Sequence, residues 1–83
     1  MNIEKLIIRF QTVPLPKDIK RDDFVKYINH YGFEIVRKNS SHNSAINKEK
    51  GIVFAFADVN GRKVKTSYLK EFNKILEEME FIQ

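Results

Sequence analysis

The fold turns on the stretch Gly32-Phe33-Glu34-Ile35-Val36-Arg37-Lys38-Asn39-Ser40-Ser41-His42. A glycine closes a helix, a short apolar strand follows, and the polar trio Asn39-Ser40-Ser41 turns the chain so that His42 opens the next strand. The helix upstream is expected from about Arg21 to Tyr31. Phe24, Ile28 and Tyr31 line its buried stripe, with Val25 and Tyr27 at the margins. Asp22 and Asp23 sit where the helix dipole favours negative charge. Gly32 stands where a left-handed residue ends such a helix without the steric cost of a Cβ.

Downstream, Phe33 to Lys38 reads as a strand with Phe33 and Ile35 on one face, and a second strand runs from about His42 to Asn47. Lys48-Glu49-Lys50-Gly51 makes a hairpin turn. The third strand, Ile52 to Ala57, alternates large and small: Ile52, Phe54 and Phe56 against Val53, Ala55 and Ala57. The large side is expected to face the helices. The small side stays open, a face of low relief suited to contact with another molecule. Asp58-Val59-Asn60-Gly61 reads as the break after this strand, and Arg62 to Lys65 as a basic connection. The last helix starts near Ser67, with Thr66 or Ser67 as cap. Tyr68, Phe72, Ile75 and Met79 form its central stripe, flanked by Leu69 and Leu76.

Near the start of the chain Ile3, Leu6, Ile7 and Phe10 recur at helical spacing, with Asn2 as cap and Glu4 in the first turn. The competing pattern, a strand with Leu6, Ile8 and Phe10 alternating, accommodates fewer of the apolar residues. Pro14-Leu15-Pro16 ends regular structure there. The expected fold is α+β, one domain over residues 1–83, with an added helix over 1–13 and a core over 14–83. Its order is α-α-β-β-β-α, a three-stranded antiparallel sheet with helices packed on one face.

Composition narrows the function classes. The chain has 83 residues, and a domain of this size buries roughly 60% of its unfolded surface, so the core must be used economically. Seven Phe and three Tyr, with no Trp and no Cys, supply that core. Without cysteine there is no disulfide framework and no thiolate metal site, which suits a reducing cytoplasm. The apolar run at residues 3–10 is interrupted by Glu4, Lys5 and Arg9, so it resembles neither a signal peptide nor a membrane span. A soluble cytoplasmic protein is expected. Fifteen Lys and Arg against 11 acids give a net charge of +4. Gly61 to Lys70 holds four cations and no acid, whereas Glu71 to Gln83 holds four Glu and one Lys. The positive charge is therefore placed, not spread.

His42 is the first candidate for chemistry. Two serines precede it and a polar strand start follows, and a histidine moves protons near neutral pH. A lone surface histidine is more often only that. His30 falls on the polar side of its helix and reads as a solvated residue. No spacing suggests a metal site, a glycine-rich phosphate loop or a nucleophile elbow, so no metal and no cofactor are expected. Arg62, Lys63, Lys65 and Lys70 gather at the start of the last helix, where cations oppose the macrodipole. A docked nucleic-acid phosphate would use both the cations and the free N–H groups; a solvated basic loop explains them equally well. Arg37 and Lys38 could extend this positive surface toward His42.

Asp22 to Ile28, then Tyr31-Gly32-Phe33-Glu34-Ile35-Val36-Arg37, then Ser40-Ser41-His42 resemble the HicA toxins of bacterial type II toxin–antitoxin systems. That family shows a helix ending in Gly before Phe or Tyr, a short strand and a Gly-Ser-His signature. Asn47 to Gly51 and Val64-Lys65 follow in the family's order, and the likeness spans about Pro16 to Leu76. It implies a double-stranded-RNA-binding-like fold and cleavage of mRNA by the signature histidine, which falls on His42. It also implies a toxin, monomeric when free, that a HicB-like antitoxin protein neutralises. Ser41, Arg37, Lys38, Arg62, Lys63, Lys65 and Lys70 are then the expected RNA contacts. Ser40 stands where the family usually has glycine, and Asn43 where a second histidine or an arginine is common. These departures motivate a second expectation, a non-catalytic RNA- or protein-binding module of the same fold.

Overall fold

A computed structural model describes residues 2–39 and 41–81. Helix α1 spans Ile3–Gln11, and the Asn2 side chain caps it by accepting from Lys5 N–H at 2.9 Å. Its apolar spacing turns Leu6 and Phe10 inward, while Ile8 of the rejected strand pattern points to solvent. The chain passes the prolines and forms β1 (Ile19–Lys20), which the sequence does not announce, and then α2 (Arg21–His30). Gly32 follows with φ +87°, and its N–H bonds Asn29 O to close the helix as expected. Within α2 the buried residues are Phe24, Tyr27 and Ile28, so Tyr27 sits at the centre of the stripe and Tyr31, at its end, is half-buried.

Strands β2 (Glu34–Arg37), β3 (His42–Asn47) and β4 (Ile52–Val59) form the expected antiparallel meander. The sheet is nevertheless five-stranded, not three-stranded. β4 runs two residues past Ala57, and β5 (Lys63–Val64) pairs with its end at Asp58 and Val59. β1 then pairs with β5, which makes the order β1-β5-β4-β3-β2, every neighbour antiparallel. The break expected at Asp58 is displaced to Asn60-Gly61. Both take positive φ, +54° and +69°, and Arg62 N–H closes the turn on Val59 O. Such a turn matches the twist of the strands it joins. The expected basic connection is thus partly strand.

Helix α3 spans Thr66–Glu78. Its cap position is Lys65, without a side-chain cap, because the Thr66 hydroxyl instead donates to Pro16 O at 2.7 Å and ties the proline segment to the helix. Leu69, Phe72 and Leu76 are its fully buried residues, and Tyr68, Ile75 and Met79 pack at the margin, so the stripe is rotated from the expected one. Phe72 is the hub of the core: the rings of Phe24, Tyr27, Phe33 and Phe54 lie 5.1–6.1 Å from its own. Between the helices, Gln11 donates to the hydroxyls of Tyr27 and Tyr31, Tyr27 donates to Asn73 Oδ1 at 2.6 Å, and Asn73 donates to Phe10 O. Burial pushes the Tyr27 hydroxyl well above its usual pKa, so it stays a donor.

The large residues of β4 face these helices, as the alternation implies. Phe54 and Phe56 are buried, while Val53 is 64% exposed and Ala55 is open. Val36 of β2 shares that outer face. Among the described residues no helix is long and apolar enough to cross a membrane.

Candidate active site

His42 is the first residue of β3, opposite Ala57 of β4, and is exposed. Alternation on β3 buries Asn43, Ala45 and Asn47 and leaves His42 and Ser44 on the face the helices do not cover. The turn before it is tightly organised. Lys38 N–H bonds His42 O at 2.9 Å. Asn39 Oδ1 accepts from the backbone N–H groups of Ser41 at 3.2 Å and His42 at 3.1 Å, and lies 2.9 Å from His42 Nδ1. Ser40 lies outside the described residues. A cleft of about 240 Å³ opens beside the histidine, lined by Lys38, His42, Ser44, Ala55, Ala57 and Tyr68 among others.

Behind the turn sits a polar node. Asp58, with no side-chain exposure, accepts from Asn43 at 2.8 Å, Arg21 at 3.2 Å and Arg37 at 3.2 Å through one carboxylate oxygen, and from Gly61 N–H at 2.8 Å through the other. Arg21 also reaches Asn43 Oδ1 at 2.9 Å. Ser41 O accepts from Asp58 N–H and from the Asn43 amide, so the node grips the residue just before His42. Burial pushes the Asp58 carboxyl up, but the bonds from Asn43 and Gly61 and the charges of Arg37 and Arg21 outweigh it and hold it below its ordinary value. Asn43 is therefore an inward structural residue.

The expected RNA-contacting residues divide into four groups. Lys38 lines the cleft with His42, whereas Ser41 does not and bonds Asp58 N–H through its carbonyl. Arg37 belongs to the Asp58 node. Arg62, Lys63 and Lys65 are exposed along β5 and its flanks, where Lys63 lies across from Lys20 and 3.9 Å from Asp18. Lys70 is not with them: it lines a separate groove of about 1000 Å³ with Gln11, Val13 and Lys74. His30 is exposed on α2, edge-on to Tyr31 at 5.0 Å, and does not line the cleft. Sequence reasoning missed Asn39, treated only as a turn residue, and Tyr68, treated only as core. It also missed Lys20, whose place depends on the unannounced β1.

No protein-family model, curated protein or solved structure matches the chain.

Proposed function

We propose that this chain is a toxin-type RNA endonuclease in which His42 is the catalytic base, of the kind its likeness to HicA toxins implies. The observation that carries the reading is the exposed His42 imidazole sharing one cleft with Lys38. Helices on one sheet face and an open second face support the double-stranded-RNA-binding-like layout. The exposed cations along β5 supply attraction for a phosphate backbone. RNA differs from DNA by the 2′-hydroxyl, and here that group is the nucleophile. His42 takes its proton, the 2′-oxygen bonds to the adjacent phosphorus, and the phosphorus–5′-oxygen bond breaks. The 5′-oxygen leaves with a proton from water, giving a 2′,3′-cyclic phosphate and a 5′-hydroxyl. Lys38 offsets the charge that builds on the phosphorane oxygens. One histidine contributes about 10²- to 10⁴-fold, a slow nuclease adequate for scarce messages.

The test is cleavage of RNA by the purified wild type, His42→Ala and His30→Ala proteins, with analysis of the ends. Cyclic-phosphate ends from wild type and His30→Ala, and none from His42→Ala, support the reading. Equal cleavage by His42→Ala removes the histidine from the mechanism. Binding without cleavage by wild type would favour the second reading, a binding module, for which the exposed Val36 and Val53 of the bare face speak.

A further inference from the structure

Asn39 stands three residues before His42, and its side chain does more than close a turn. Its Oδ1 receives the backbone N–H groups of Ser41 and His42, and two N–H donors require an acceptor, so this atom is the amide oxygen and not the amide nitrogen. The same oxygen lies 2.9 Å from His42 Nδ1. A carbonyl oxygen has no hydrogen to give, so the hydrogen in that contact belongs to Nδ1. In a neutral imidazole only one nitrogen carries hydrogen, which leaves the lone pair on Nε2.

We propose that Asn39 is the positioning residue of this site: its carbonyl holds His42 in the Nδ1–H tautomer and makes Nε2 the proton acceptor. The arrangement is local and self-consistent, since the turn that orients the backbone of His42 uses the oxygen that orients its ring. The same contact serves the ring after it has taken a proton, because Nδ1 remains a donor. Lys38 from the turn and Tyr68 from α3 are the other titratable groups lining the cleft, while Arg37 is tied to Asp58. Neither Lys38 nor Tyr68 provides a carboxylate to do Asn39's work. The catalytic consequence rests on the ribonuclease reading; the tautomer does not.

The experiment is nitrogen NMR of the whole chain labelled at histidine, above the pH at which its imidazoles lose their charge. His30→Ala identifies which of the two rings is which. His42 is expected as the Nδ1–H form in wild type and in Asn39→Asp, and to move toward the Nε2–H form in Asn39→Ala. Cleavage kinetics follow. Asn39→Ala should lower kcat by roughly 10-fold or more at unchanged KM, because the base is on the wrong nitrogen. Asn39→Asp keeps the acceptor and adds a negative charge, so the acidic limb of its kcat–pH profile should rise by about one unit, a movement that loss of turn structure would not produce. A wild-type His42 in the Nε2–H form overturns the inference, and so does an unchanged tautomer in Asn39→Ala. If the tautomer is as expected and wild type cleaves no RNA, the ribonuclease reading falls while the hold of Asn39 on the ring stands.

Discussion

Two residues with opposite surroundings share the region around the β2–β3 turn. His42 is exposed and replaceable without cost to packing, so its substitution reads chemistry. Asp58 is wholly buried and replaceable only at the expense of the fold. Removing its charge takes an ion-pair partner from Arg21 and from the more exposed Arg37, and a fully buried pair broken from one side costs about 3–5 kcal/mol, this partly solvated one less. Asp58→Asn should therefore lower the stability by about 1–3 kcal/mol, against a total of roughly 4–12 kcal/mol for a chain of this length. Because the folded carboxyl lies below its unfolded value, its contribution is whole above that unfolded value, about 4. It is lost as pH falls through the lower, folded value. Thermal melts between pH 2 and 7 check this: wild type should lose more stability than Asp58→Asn below about pH 4. Parallel curves would assign the acid sensitivity to other groups.

At the scale of elements, junctions carry the specificity. Gly32 ends α2 at φ +87°, and a Cβ there would meet the Asn47 amide nitrogen at 3.3 Å. That amide donates to Tyr31 O at 3.2 Å, joining the end of β3 to the end of α2. Gly32→Ala should cost about 1–2 kcal/mol from the left-handed backbone alone, with the close approach to Asn47 adding to it. Chemical denaturation of the variant measures the effect, and a change under about 0.5 kcal/mol, the range of a featureless surface substitution, would show that the junction relaxes freely. The second junction, Asn60-Gly61, folds β5 back so that its cations lie beside Lys20 of β1. Like charges directly across a ladder are unfavourable, and the ion pair from Lys63 to Asp18, at 3.9 Å, is open to solvent and offsets little of that repulsion. Under the proposed function, the phosphates of RNA relieve it.

At the scale of the molecule, that charge leads to a salt test. Reversing Lys63 and Lys65 to Glu should weaken RNA binding across sequences. The slope of log affinity against log salt should fall by about one for each phosphate that is no longer neutralised. Binding titrations from low to physiological salt give the slope, and an unchanged value would make the cluster a solvated loop. Control of the activity belongs at this scale too. Under the proposed function, a nuclease acting on messages needs restraint, and the simplest restraint covers the cleft and its positive surroundings with an acidic protein surface. With an added HicB-like antitoxin, diethylpyrocarbonate should label His42 far less than in the free chain, and RNA should compete with the protein. Equal labelling in a stable complex would mean that inhibition leaves the site open.

What the sequence determined by itself is what short-range forces decide. The 3.6-residue recurrence in α1, the two-residue alternation of β4 and the glycine after α2 each record a local preference, and each is realised where it was legible. The turn before His42 was legible as a turn, but the reach of the Asn39 side chain to the His42 ring, three residues along, was not. The rest depended on contacts between distant residues. Asp58 reads as a strand breaker until Arg21 and Arg37, 37 and 21 positions away, make its burial inside β4 favourable. β1 and β5 are two residues each, too short to show a period, and exist only because they pair with one another and with the end of β4. In α3 Phe72 is buried as its stripe suggests, but the core takes Leu69 and Leu76 beside it and leaves Tyr68, Ile75 and Met79 at the margin. Burial of a charge or a ring is decided by partners that the chain brings together only on folding, and those partners were what the tertiary structure supplied.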